Sequence, residues 1–264
     1  MRALDGCGAV VHLAARVHVM SDTAADPLTE FRRLNRDATR KLAESAAQAG
    51  VRRFVFVSTI KVNGEATSGP GFTEDDPPAP EDPYAVSKWE AEQAIAEVGS
   101  ASGMEYVILR PPLMYGPGVG ANLLRVLRAV DRGDPVALGS VRNRRSLLYV
   151  GNLADAIVTC LDHPAAASRT YLVADGEDVS TPELFRRVGM ALQRPAQLIN
   201  VPVFLLRLGA SLLSRSAEVS RVTGDLVVDA SAIRRELGWQ PRYTMQEGLE
   251  ETARWYRSQA RRQE

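Results

Sequence analysis

Cysteine and histidine are scarce, and neither sign of charge prevails. The two cysteines, Cys7 and Cys160, lie far apart in 264 residues and the three histidines form no ligand pattern with them. A disulfide framework and a zinc site are therefore unexpected, and no metal is assigned. Such cysteine usage suits a reducing, cytoplasmic setting. Lysine plus arginine equals aspartate plus glutamate at 32 each, which removes any bulk attraction to nucleic acid or an anionic membrane. Any anion must be held by local arrangement. No run spans a bilayer: the longest apolar stretch, residues 198–213, is broken by Asn200, Pro202 and Arg207 and is too short. It reads as an amphipathic or core helix. The first residues lack the apolar core of a secretion signal. What remains is a chain that is 45% hydrophobic, long enough to bury a large core without staples.

Three short, nearly continuous apolar runs stand out: Gly8–Ala15, Arg52–Thr59 and Glu105–Arg110. Runs of this kind suit strands buried on both faces of a parallel sheet. Between the first two, Phe31, Leu34, Ala38, Leu42, Ala46 and Ala49 recur at helical spacing, with Asp26-Pro27 to open the helix and Gly50 to close it. Between the second and third, Asp82-Pro83 opens a helix whose face carries Tyr84, Lys88, Ala91, Ile95 and Val98. Strand, helix, strand, helix, strand predicts an α/β fold with a doubly wound parallel sheet. A further strand is expected near 170–174, ahead of the capping box Ser180-Thr-Pro-Glu183. Helices are expected over 120–132, 151–162, 182–193, 202–214 and 246–258. Residues 1–112 are assigned to a dinucleotide-binding portion, and 113–264 mainly to a mixed α/β substrate-binding portion with segments returning to the sheet. The Pro/Gly/acid-rich stretch 68–83 reads as a surface loop.

The chemistry concentrates in Tyr84-Ala-Val-Ser-Lys88. Four residues make one helical turn, so phenol and amine share a face. With seven tyrosines and three lysines in the chain, chance supplies roughly 0.08 such pairs, so the pairing is read as functional rather than as a core tyrosine beside a surface charge. A phenol titrating near 10 needs about 4 kcal/mol of help to ionise at neutrality. A fixed ammonium and a cationic nicotinamide ring would supply much of it. Tyr84 would then exchange a proton with a substrate hydroxyl while hydride moves to or from the cofactor. Ser58 and Thr59 fall at a strand's carboxyl end, where parallel sheets bind ligands, and their hydroxyls are placed to meet the same oxygen. His12 reads as packed at a strand end, while His18 and His163 show no partner pattern.

GAVVHLAA, Asn35, VFVST-IKVNG, YAVSK, LRPPLMYGPG and the run from Arg145 to Val150, taken in order, resemble the extended short-chain dehydrogenase/reductases, specifically NAD-dependent nucleotide-sugar epimerases of the UDP-glucose 4-epimerase type. The resemblance implies a Rossmann-like fold. It places Thr59 at the catalytic Ser/Thr position, makes Tyr84 the acid/base, and makes Lys88 the residue that binds ribose and lowers the phenol's pKa. It implies that Leu13, Ala14, Ala15, Asn35, Ser58, Pro111, Pro112 and Leu113 adjoin NAD or NADP, and that Asn122 and Arg145 hold the diphosphate of a UDP-sugar. Arg221 stands near that pattern, but its spacing to Asp225 fits less well. For Arg142, Arg144 and Arg145 the competing reading is a basic surface turn. Dimerisation through the helices after the first and second strands is also implied.

Two departures from the family pattern carry weight. A phosphate-cradling G-x-x-G-x-x-G segment, its helix and two more strands are expected ahead of Gly8, where seven residues stand. The Ala9–Ala14 strand is then expected to present a long apolar edge, and weak or no activity is expected of the chain as given. The second departure lies after Thr59. The 4,6-dehydratases in the family carry Asp-Glu there, whereas Ile60 and Lys61 stand here and cannot do that acid/base work. The Glu used by decarboxylating relatives is missing too. IKVNGE, with Asn63 in place of the usual Tyr, resembles the branch acting on UDP-N-acetyl sugars of bacterial surface polysaccharide, 4-keto-sugar reductases included. The function expected is hydride transfer at C4 of a UDP-sugar, as an epimerase or a 4-keto reductase. A non-catalytic cofactor- or partner-binding module is the competing class.

Overall fold

The computed structural model describes residues 2–17, 26–212 and 216–263; His18 lies outside them. In chain order the elements are β1 (Ala9–His12), α1 (Pro27–Phe31), α2 (Ala38–Gln48), β2 (Arg53–Val57), α3 (Pro83–Ser102), β3 (Glu105–Arg110), β4 (Leu113–Tyr115), α4 (Ala121–Arg132), β5 (Arg145–Tyr149), α5 (Val150–Asp162), β6 (Arg169–Leu172), β7 (Asp178–Val179), α6 (Thr181–Leu192), α7 (Val203–Leu212), α8 (Ser216–Thr223), α9 (Ser231–Leu237) and α10 (Met245–Gln263). One sheet is parallel throughout, in the order β1-β2-β3-β6; the second has the order β4-β5-β7. The fold is α/β and Rossmann-like, as the runs predicted.

The parallel sheet is covered on both faces because its strands are apolar on both. Phe54, Phe56 and Ile108 pack with Ala43 and Ala46 of α2 and Ala91 and Ile95 of α3. The alternating residues Val55, Val57, Val107 and Leu109 pack on the other side with Leu153, Ala156 and Cys160 of α5. Successive side chains of a strand point to opposite faces, so RFVFV feeds two cores at once. A third cluster joins Leu147 and Tyr149 of β5 to Leu123 and Leu127 of α4, Phe185 and Val188 of α6, and Met245 and Leu249 of α10.

Several expectations change. The first strand ends at His12, with 13–17 outside the sheet, so the edge is four residues long rather than an extended apolar ribbon. The first helix buries a different stripe. Between α1 and α2 the backbone widens into a π-helical segment, Arg32–Asp37, whose extra residue shifts the phase. Phe31, Asn35, Thr39 and Ala43 face inward, while Leu34 and Ala38 are exposed. The described residues of the 198–213 stretch divide: Leu198 packs against the third cluster, whereas the helix that follows is largely surface. Helix α7 packs mainly on α8 and leaves Phe204 and Leu208 exposed. An apolar run without periodic polar positions does not say which of its faces is covered.

Candidate active site

The carboxyl ends of β2 and β3 and the first turns of α3 converge on one place. Beyond Val57, Thr59 caps a 3-10 turn over Ile60–Val62, its hydroxyl accepting from the Lys61 amide at 3.3 Å. Gly64 closes that segment at φ 153°, with the Phe72 ring 2.9 Å from where a Cβ would stand, so a larger residue has neither the conformation nor the room. On the other side Asp82 caps α3 by accepting from the Ala85 amide at 2.7 Å, and Pro83 starts the helix. Tyr84, on the first turn, lies close enough to Thr59 for that hydroxyl to favour its ionisation, and its ring packs edge-to-face with that of Phe31, the centroids 6.1 Å apart. Lys88, one turn on, is buried; its Nζ donates to the Val57 carbonyl at 2.7 Å and lies 3.9 Å from the centre of the Phe56 ring.

The electrostatics differ from the simple expectation. Burial foremost, then the charge of Asp82, push the Tyr84 phenol up to about 12, against the opposing influence of the nearby Thr59 hydroxyl. Lys88 does not offset this. Burial lowers its own pKa to about 7, only partly countered by Glu92. The protein groups alone thus keep the phenol protonated, and ionising it requires further positive charge. His12 is likewise held neutral: burial first, then Lys88, lower it to about 4. It stacks on Phe56 and pairs with the Thr39 hydroxyl at 2.9 Å, in the packing role expected of it.

Asn35 is buried at the end of β1. Its Oδ1 accepts from the Arg16 amide at 2.7 Å, and its Nδ2 donates to the Arg16 carbonyl and to the Ser87 hydroxyl, each at 3.0 Å. Through these bonds it fixes the 13–17 loop, in which Leu13 and Ala14 are exposed. Pro111 and Pro112 are buried after β3, and Leu113 is partly exposed. Ser58 departs from expectation: its hydroxyl is spent on Glu92 rather than presented to the crevice. Glu92 also receives Arg110 through a two-pronged ion pair at 2.6 Å, and Arg110 donates to Asn63 at 3.0 Å. Sequence reasoning missed Glu92 and Arg110. The signal was a carboxylate one turn past Lys88 and a cation ending an otherwise apolar strand.

Asn122 and Arg145 are not joined to the tyrosine group by any hydrogen bond or ion pair among the described residues. Asn122 is exposed on the first turn of α4. Arg145 opens β5 half-buried, and its Nη1 donates to the Arg221 carbonyl at 2.9 Å and more weakly to that of Gly224. Arg221 thus enters through its backbone. Arg144 is exposed and paired with Asp178, and Arg142 is exposed, so the basic-turn reading fits those two alone. Lys61 is turned to Asp82 and Glu65, at 2.6 and 2.5 Å.

The model of the NAD dependent epimerase/dehydratase family matches residues 1–174. The chain belongs to that family. It is 48% identical over 246 residues to a UDP-glucose 4-epimerase of Vibrio cholerae, covering 92% of this chain and 75% of that protein. Among solved structures it resembles a dTDP-glucose 4,6-dehydratase of Streptomyces venezuelae with NAD bound, at 26% identity and a TM-score of 0.76, over 97% of this chain and 75% of the other. It also resembles a UDP-glucose 4-epimerase of Thermotoga maritima, at 21% identity and a TM-score of 0.76, over 96% and 78%. The chain is therefore a member of an NAD-dependent, nucleotide-sugar class of enzymes. The residues present fit the cofactor: a buried ammonium with one carbonyl acceptor has donors left for ribose hydroxyls, and it stands where the parallel strands end.

Proposed function

We propose that this protein transfers hydride at C4 of a UDP-sugar, with Tyr84 carrying the proton of the C4 oxygen, in the sugar metabolism of bacterial surface polysaccharide. The observation that carries the reading is the placement of Tyr84 on the first turn of α3 beside Thr59, with Lys88 one turn on donating to the Val57 carbonyl at the same strand end. NAD, when bound, exchanges the hydride and brings positive charge beside the phenol. Thr59 donates to the C4 oxygen and holds it against Tyr84. Tyr84 takes the hydroxyl proton as C4 is oxidised and returns it on reduction. Lys88 holds ribose hydroxyls with the donors that Val57 leaves unused. Leu13, Ala14, Pro111, Pro112 and Leu113 form apolar walls that exclude water from the transfer, and Asn35 fixes the loop that carries the first two. Arg145, already gripped by two carbonyls, offers its remaining donors to the diphosphate, where a planar guanidinium matches paired oxygens, and Asn122 adds a contact from α4.

The 48% identity to an epimerase favours epimerisation. The IKVNGE segment favours a 4-keto-6-deoxy-sugar reductase, which uses the same proton path. Lys61 is tied up in ion pairs, so elimination across C5 and C6 has no acid here. Incubation with NAD and UDP-glucose, UDP-N-acetylglucosamine or a UDP-4-keto-6-deoxy sugar, followed by product analysis, tests the reading. With a protein that also carries a glycine-rich phosphate-cradling segment ahead of Gly8, a C4 epimer or a reduced 6-deoxy sugar is expected, with loss of turnover in Tyr84→Phe. Unchanged turnover in that variant would exclude Tyr84 as the proton carrier, and cofactor binding without conversion would favour the non-catalytic class. We further assign dimerisation to the outer faces of α2 and α3, which sedimentation tests.

A further inference from the structure

Lys61 occupies the place where dehydratases of the family carry acid, yet its amine does not face the crevice. It lies 2.6 Å from Asp82 Oδ2 and 2.5 Å from Glu65 Oε1. Asp82 meanwhile uses its other oxygen to cap α3 at the Ala85 amide. One carboxylate thus starts the helix that bears Tyr84 and grips the turn that bears Thr59. A second bond ties the same segments, the Ala79 amide donating to the Val62 carbonyl at 2.9 Å.

We propose that Lys61 is a positioning residue for Tyr84, clasping the Thr59 turn to the start of α3 and offsetting part of the charge that Asp82 places beside the phenol. The inference rests on the reading of Tyr84 as proton carrier and adds a residue to it. Among the described residues, these charged and polar groups stand on the elements packed around the phenol. On its own helix and cap stand Lys88 and Asp82; from the turn after β2 come Thr59, Lys61 and Glu65; from α1 comes the uncharged Phe31 ring, with the Arg16 guanidinium 5.3 Å from its centre. Asp82 is the anion that disfavours the phenolate, and Lys61 is the cation in direct contact with Asp82. Burial works against the charge on Lys61, but its bonds to Asp82 and Glu65 outweigh burial and hold it protonated. Glu65 also acts on Arg145, so loss of Lys61 would leave two partly buried carboxylates without their shared partner.

The test titrates the phenol directly and needs no turnover. 3,5-Difluorotyrosine, a more acidic phenol, is placed at position 84 of the 264-residue chain and followed by fluorine NMR against pH. Lys61→Met should raise the midpoint by roughly half to one pH unit. Adding Asp82→Asn to Lys61→Met should bring it back, because asparagine caps a helix as aspartate does but carries no charge. Lys61→Arg should leave it in place. Lys61→Gln keeps an uncharged donor beside the carboxylates and should shift the midpoint like Lys61→Met, which guards against a fold defect in the latter. An unmoved midpoint in folded Lys61→Met and Lys61→Gln, or a shift that Asp82→Asn does not reverse, overturns the proposal. Unchanged turnover in Tyr84→Phe would sink the underlying reading instead, and the two failures are read in different experiments.

Discussion

Arg110, the last residue of β3, pairs with Glu92 on α3 at 2.6 Å where neither side chain reaches solvent, and Glu92 takes the Ser58 hydroxyl as well. The strand end that carries Thr59 is therefore braced from beneath by charge. Removing one member strands the other in the core. Arg110→Met should destabilise the protein by about 3–5 kcal/mol in urea unfolding. The double change Glu92→Leu/Arg110→Met should recover most of that. Equal losses in single and double variants would show that packing, not stranded charge, sets the effect.

The pH dependence of stability should carry the mark of Lys88. Burial lowers its pKa from 10.5 to about 7 in the folded chain, so between those values the unfolded state binds more protons. The penalty of keeping this amine charged is complete below pH 7 and vanishes as the pH rises through 10.5. Stability should increase by about 2 kcal/mol between pH 7 and pH 9 from this group alone. Lys88→Met should flatten that slope. A slope of the same size in the variant would assign it elsewhere.

How much of this was legible beforehand depends on the physics of each feature. The parallel strands could be read because burial on both faces leaves an apolar run, and the tyrosine helix because Asp82-Pro83 is a local start signal. Thr59, Tyr84 and Lys88 fall at one end of the sheet because strand end and first helical turns are fixed by those same elements. The Glu92–Arg110 brace could not be read, since a pair eighteen residues apart is recognisable only once strand and helix are stacked. The phase of the first helix escaped because apolar Leu34 and Ala38 look more buriable than Asn35 and Thr39. Those two polar side chains are inward because Arg16, Ser87 and His12 satisfy them. Short elements such as β4, β7, α8 and α9 left no periodicity to count.

Two leucines separate core from surface. Leu148, buried between β5 and the helices of the main core, should cost about 2–5 kcal/mol as Leu148→Ala. Leu208 on α7 is 59% exposed, and Leu208→Ser should change stability by less than about 1 kcal/mol. Thermal unfolding of the two variants checks the contrast, and a large loss at Leu208 would mean that α7 is packed more deeply.

Arg145→Gln should weaken UDP binding by roughly tenfold or more, since a charge-assisted pair of hydrogen bonds to phosphate is lost. Calorimetric titration with UDP measures this. The melting temperature should move little, because glutamine retains a donor for the Arg221 carbonyl. Unaltered UDP affinity would remove Arg145 from the diphosphate site.

The widened turn at Arg32–Asp37 has a counting consequence. A π segment holds one residue more than the regular helix it interrupts, so a single deletion there should let the coil close into regular helix while the turns on either side keep their places. Asn35 sits inside that segment, so the closing coil would draw it from the Arg16 backbone, and the loop beyond β1 would lose its tether with no change at the loop itself. The grip on the 13–17 loop is written as chain length, in a stretch of helix far from it in sequence.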